Sequence, residues 1–354
     1  MKIEVYSPTI RRKEMDAVLT AMVEEKIGPG ERSRLLIQTA KEQLRFDYAL
    51  ALRSPAVALY LALKALNVQS GQAVIISALS PRYYVNVLND LQLTPLFCDV
   101  SFDFPCLSRD TIEKTIAEKP NDLKICAIAL HHTLGFLPDT TAIAELGYPV
   151  IEDISQSYGS WFSSKDSSHE ADASKEKQDA KLSGVFCILG LEERDMLTSG
   201  GGAMLFAMNR RDGAVLRNYA AIPDEYCLPD INAALAIVQF REAHKNIQRR
   251  SEIAGVYTQS SLRTRHKRFI HHAEYNNYSF PLVLESGLKD VESYARKKEI
   301  IVENAFEKSL AGAGLCERCP VSNSLALRTV LFPIYPRLRS QEAERVSKLI
   351  MTLP

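Results

Sequence analysis

No charge of either sign dominates this sequence. Lysine plus arginine number 43 and aspartate plus glutamate number 43 in 354 residues. A nucleic-acid footprint needs a basic excess, and none is present. No apolar run is long enough for a membrane span. The opening MKIEVYSPTIRRKE lacks the apolar stretch of a secretory signal, so a cytoplasmic setting is expected. Cysteine is sparse: seven thiols, at positions 98, 106, 126, 187, 227, 316 and 319. An odd, scattered set in a chain of this length does not read as a disulfide framework. Cys316 and Cys319 form one C-x-x-C, but a zinc site takes about four ligands and no second pair exists. Two ordinary thiols are expected there. Lysine is missing from one long stretch, with none between Lys181 and Lys245.

What is present is a regular rhythm. Residues 9–26 carry Met15, Val18, Leu19, Met22 and Val23 at helical spacing. Gly28-Pro29-Gly30 breaks that helix, and a second runs to about Leu44. Short apolar runs then alternate with helical patterns. The runs are 48–52, 73–76, 94–97, 125–130 and 149–151; the helices are 56–66, 83–91, 110–117 and 140–146. Strands apolar on both faces and separated by helices build a mainly parallel sheet covered on both sides, an α/β architecture. Residues 163–181 are polar and charged, and read as a disordered surface insertion. Strands resume at 184–189 and 203–207, and a long helical pattern runs from Asp230 to about Thr258. The remainder reads as a small α+β domain, with strands near 278–283 and 329–332 and helices near 288–298 and 340–351. The expected division is a large domain over 1–240 and a small one over 241–354.

The order of local sequences carries a resemblance. ALRSPAVALYLALKALNVQSGQAVIIS, LQLTPLFCDV, ALHHTLGFLPDTTAI, VIEDISQSYGS, LTSGGGAML, LPDINAALAIVQF and LRTVLFPIYPRLRSQEAERVSKLI follow one another along the chain. In that order they resemble the DegT/StrS family of sugar aminotransferases, enzymes dependent on pyridoxal phosphate (PLP). The resemblance implies the type I PLP-transferase fold, like that of aspartate aminotransferase, and a homodimer with active sites at the subunit interface.

PLP chemistry needs a lysine for the Schiff base and a carboxylate at the pyridine nitrogen. It also needs phosphate donors, usually at a helix N-terminus, and a surface to hold the ring. By resemblance, Asp153 is the pyridine-nitrogen partner, Gln156 the contact to the ring hydroxyl, and Ser54 part of the phosphate cradle. The family's lysine falls within LGLEERDMLTS, among Glu192, Glu193, Arg194 and Asp195. A carboxylate forms no imine, and arginine stays protonated. Relatives that replace the lysine with histidine are dehydratases, but this stretch has no histidine either. Pro55-Ala56 stand where the family has Gly-Thr. Proline has no N–H and alanine no hydroxyl, yet Ser54-Pro55 still makes a good helix start. Cys187 matches a phosphate-contacting serine, and Glu225 an asparagine that reaches the partner subunit's phosphate. Pro81 matches the ring-stacking aromatic; Tyr83 or Tyr84 substitutes for it only if the loop shifts.

The expectation is a degenerate family member that makes no covalent PLP link. It keeps the fold and the dimer, and is tied to a nucleotide-sugar ligand or an active relative in surface-polysaccharide synthesis. The alternative is an active aminotransferase on a nucleotide-linked ketosugar, with its lysine drawn from Lys165, Lys175, Lys177 or Lys181. A third reading, a non-PLP enzyme using Asp153, His131 or His132, has no specific support in the residues. Ser199-Gly200-Gly201-Gly202 lacks the Lys-Ser/Thr of a P-loop and reads as a turn. His131 and His132 read as structural or substrate-side groups at a strand end. The basic run Arg263, Arg265, His266, Lys267, Arg268 reads as a solvated helix end.

Overall fold

A computed structural model describes residues 2–160, 182–218, 222–270 and 275–354. The 163–181 insertion lies outside the described residues. Two helices open the chain, α1 (Arg12–Val23) and α2 (Glu31–Leu44). Five strands then alternate with helices: β1 (Tyr48–Leu52), α3 (Pro55–Ala65), β2 (Ala73–Ser77), α4 (Tyr83–Asp90), β3 (Thr94–Cys98), α5 (Arg109–Glu118), β4 (Ile125–His131), α6 (Thr140–Ala144) and β5 (Val150–Asp153). β6 (Phe186–Gly190), β7 (Ala203–Ala207) and α7 (Arg210–Arg217) complete the sheet region.

The strands lie in the order β1-β7-β6-β5-β4-β2-β3. β6, β5, β4, β2 and β3 run parallel, while β7 is antiparallel to both β6 and β1. The expectation of a mainly parallel sheet holds, with one reversed strand. β6 and β7 are joined by the turn 191–202, not by a helix, and a strand that returns without a crossover must run antiparallel. β2, β6 and β7 are buried along their whole length, which is why they read as continuous apolar runs.

Each face of the sheet has its own core. On one side, Leu59 and Leu63 of α3, Leu88 of α4 and Ile112 of α5 pack on alternate strand residues such as Ile76, Ile128 and Ile188. On the other, Leu36 and Ala40 of α2 meet Cys187, Leu189, Met204 and Phe206. The 32-residue helix α8 (Asp230–Ser261) joins this second core through Ile237 and Phe240. Its far end, at Ile253 and Tyr257, enters a third core. That core is built on β8 (Pro281–Val283), β9 (Glu303–Asn304) and β10 (Thr329–Leu331), ordered β8-β10-β9, and on α9 (Leu288–Lys297) and α11 (Ser340–Met351). α10 (Pro320–Arg328) instead adds Leu325 and Ala326 to the first core. Ile3 from the start of the chain also belongs to the third core and bridges to Ile300.

The basic run meets the expectation only in part: Arg263 and Arg265 are exposed just past the end of α8, while the residues after them are paired. Lys267 pairs with Val283 of β8, and His266 is buried, its Nδ1 accepting the Glu285 N–H at 3.2 Å. Arg268 lies over the Phe280 ring. The segment is a short extended piece of the small sheet, drawn in by backbone pairing that a charge count does not register.

Candidate functional site

β4 and β5 end side by side, with His131 opposite Asp153 and Leu130 opposite Glu152. Successive strand residues point to opposite faces, so Glu152 and Asp153 serve different sides of the sheet. Asp153 faces the α4 side and is 2% exposed. Its Oδ2 accepts the Tyr83 hydroxyl at 3.0 Å and the Tyr84 hydroxyl at 2.9 Å. Its Oδ1 accepts the Ser155 N–H at 3.0 Å and also the Ser155 hydroxyl. Ser155 Oγ in turn accepts the Gly190 N–H of β6 at 2.7 Å. Burial, and then the neighbouring Asp153 charge, push both phenols well above their ordinary range, so they stay neutral donors.

The four residues around the lysine position are held by the turn 191–202. Glu192, Glu193 and Arg194 are exposed. Arg194 pairs with Glu303 at 2.6 Å. The Glu193 carbonyl accepts the Tyr6 hydroxyl, and the Arg194 carbonyl accepts the Tyr278 hydroxyl at 2.8 Å. Asp195 alone turns back toward the sheet. Its Oδ2 accepts the Glu192 N–H at 2.8 Å and lies against Gly190. A Cβ at Gly190 would run into Asp195 Oδ2 and stand 2.7 Å from Ser155 Oγ, so only glycine fits between the two. Burial raises the Asp195 carboxyl to about 8; the Glu192 N–H opposes that rise, and the charges of Asp153 and Glu192 add to it.

Of the remaining expected site residues, Ser54 accepts the Val57 N–H at 3.3 Å and caps α3, with Pro55 in the first helical turn. Gln156 Oε1 accepts the Leu134 N–H at 2.7 Å, pinning a residue held at φ +56°. Glu225 lies in the short turn 224–226, whose Tyr226 carbonyl accepts the Arg53 N–H. Pro81 bridges to Ser309. Cys187 stands apart from the cluster. It is in register with Glu152, its side chain belongs to the α2–α8 core, and burial drives its thiol far above the ordinary range. Its side chain therefore serves the face of the sheet opposite Asp153.

The histidines divide in the same way. His132 and Glu152 are fully buried, with Nε2 and Oε2 3.3 Å apart. His132 Nδ1 meets Ser157 Oγ at 2.8 Å, and Glu152 Oε1 accepts the N–H groups of Ser183 and Gly184. This network ties β4, β5 and the entry to β6 together. His131 Nδ1 bonds Thr133 Oγ1 at 3.1 Å, and burial lowers its pKa and keeps the ring neutral. Cys316 and Cys319 are both buried, and burial lifts each thiol to about 12. Among the described residues, no group of three or more His, Cys, Asp or Glu side chains is arranged to hold a metal.

Ser155, Gly190 and Asp195 as one unit were not foreseen from the sequence. The available signal was a glycine ending a fully apolar strand just before a run of charges.

A sheet of this order, with a carboxylate at the end of its central strand and a small domain beside it, belongs to the PLP-dependent aminotransferase fold. An aminotransferase, TlmJ from Streptoalloteichus hindustanus, superposes with a TM-score of 0.83 at 21% identity over 99% of this chain and 98% of that one. The PLP form of a sugar aminotransferase, Spr1654 from Streptococcus pneumoniae, superposes at 0.82 with 16% identity, over 99% and 98%. The chain belongs to the DegT/DnrJ/EryC1/StrS aminotransferase family, whose pattern matches residues 8–175 and 208–351. The match omits 176–207, the stretch containing the turn around Glu192–Asp195. GDP-perosamine synthase from Escherichia coli O157:H7 is 28% identical over 273 residues, 72% of this chain and 70% of that protein. EpsN from Bacillus subtilis strain 168, a PLP-dependent aminotransferase by its description, is 23% identical over 85% of this chain and 80% of that protein.

The residues around Asp153 do not fit PLP as the family's do. An ionised carboxylate has about four acceptor directions, and two phenols with the two donors of Ser155 use them. No lysine lies in the intervening stretch, and the α3 N-terminus opens on a proline that has no N–H to give.

Proposed function

We propose that this chain is a family member without transaminase chemistry, retained as a protein of nucleotide-sugar or surface-polysaccharide biosynthesis. It would bind a nucleotide-linked sugar or partner an active relative. The observation that carries the reading is the absence of any lysine between Lys181 and Lys245. An amine is required for imine formation, and a carboxyl group cannot replace it. The sugar assignment draws on the relatives, one of them a GDP-perosamine synthase. A homodimer, a cytoplasmic setting and a division near residue 240 belong to the same proposal; sedimentation analysis checks the dimer. Among the described residues no helix is long and apolar enough to cross a membrane.

The test mixes purified chain with PLP, reduces with borohydride and locates any adduct by mass. The reading expects no stoichiometric lysine adduct. A full-occupancy adduct on Lys165, Lys175, Lys177 or Lys181 establishes the active-enzyme alternative instead.

A further inference from the structure

We infer that Tyr83 and Tyr84 are built-in occupants of the cleft. Their phenols take the place of a pyridine nitrogen on Asp153, so the chain folds without PLP and holds no PLP there, even non-covalently. This rests on the reading above and goes further, because losing a lysine removes only the covalent link. A pocket with a free carboxylate would still hold the cofactor through its ring nitrogen, phosphate and stacking face.

Three features close the site. The first is saturation of the carboxylate. Tyr84 is 1% exposed, so a ring nitrogen arriving at Oδ2 would strand a buried phenol without an acceptor, a costly exchange. The second is that the tyrosines cannot swing away freely. The two rings pack at 4.9 Å, and Tyr84 meets His131 edge-on at 6.3 Å. The loop before them is stapled to the segment 307–311. Leu310 N–H bonds the Ser80 carbonyl at 3.0 Å, Ala311 N–H bonds the Ala78 carbonyl at 2.8 Å, and the Arg82 guanidinium bonds the Glu307 carbonyl at 2.9 Å. The third is the phosphate end, where α3 opens on Pro55, which has no N–H to give, and Ala56, which has no hydroxyl.

The probe is pyridoxamine phosphate. It has the ring, hydroxyl and phosphate but no aldehyde, so it cannot form stray imines with surface lysines. Equilibrium dialysis of the full chain is expected to show no retained probe, and its melting temperature is expected not to move. Tyr83→Ala empties the half-buried end of the cleft and leaves Tyr84 in place. It is expected to gain affinity for the probe by about tenfold, the factor carried by one ordinary hydrogen bond. Stoichiometric retention by the unmodified chain overturns this inference yet leaves the loss of transamination standing. A borohydride-fixed lysine adduct with PLP overturns both. If a folded Tyr83→Ala chain also fails to gain affinity, the tyrosines are not what excludes the cofactor, and the inference falls. Should that variant not fold, Tyr83→Phe, which removes only a hydroxyl, is put through the same dialysis with the same expectation.

Discussion

Asp195→Asn should make the protein more stable at high pH and leave it nearly unchanged at low pH. The Asp195 carboxyl is half-buried against Gly190 and close to Asp153. It titrates at about 8 in the folded chain against 3.8 as an ordinary side chain. The folded state therefore holds this proton more tightly than the unfolded state. The stabilisation it brings is complete below the unfolded value and is lost as pH rises from about 4 through about 8. A tenfold difference in proton affinity between the two states corresponds to about 1.4 kcal/mol. Part of the side chain remains open to water, and solvent screening reduces the effect, so the loss by pH 8.5 is expected to be about 2 kcal/mol. Asparagine copies the neutral carboxyl, can still accept the Glu192 N–H and does not titrate. Urea unfolding at pH 4, 6 and 8.5, analysed by linear extrapolation, should show wild type and variant together at pH 4. The variant should pull ahead steadily thereafter. A variant that trails wild type by a constant margin at every pH would refute the argument, because Asp195 would then act as an ordinary ionised hydrogen-bond acceptor.

Other expectations follow from the same cluster. Tyr84→Phe should cost about 2 kcal/mol, the range for a hydrogen bond to a charged group, and Tyr83→Phe less because its ring is partly exposed; chemical denaturation ranks the two. Gly190→Ala should cost on the order of 2 kcal/mol through overpacking against Asp195 and Ser155. Adding Asp195→Ala should recover part of that loss in a double-mutant cycle. Glu152→Ala should cost about 3 kcal/mol, since it leaves the N–H groups of Ser183 and Gly184 without their acceptor and empties the site beside His132; thermal melting measures it. Asp195→Lys should show no transamination, because the Asp153 acceptors stay engaged. Assay with PLP, an amino-acid donor and a nucleotide-linked ketosugar checks that.

The sheet was legible because its signal is local. A fully buried strand such as Ala73–Ser77 must be apolar on both faces, and a helix such as Ser340–Met351 announces itself by its apolar period. α7 and α10 escaped because one is short and half charged and the other mixes serine and asparagine among its apolar residues. The position of Asp153 could be read from its motif, but its partners could not. Tyr83 and Tyr84 lie about seventy positions upstream and reach it only because β2 and β5 flank β4 in the sheet. The side of the sheet that Cys187 serves was hidden for a similar reason. Motif alignment counts positions, whereas the face a strand residue serves depends on parity within the pleat, and a shift of one reverses it.

One helix belongs to two hydrophobic interiors. With 32 residues, α8 is about 48 Å long at its ordinary rise. Near its middle, Arg250 grips the carbonyls of Tyr278 and Ile334 on the small-domain side. Neither half of the molecule can come apart without fraying the rod that braces the other. Heating should therefore give one calorimetric peak in place of two.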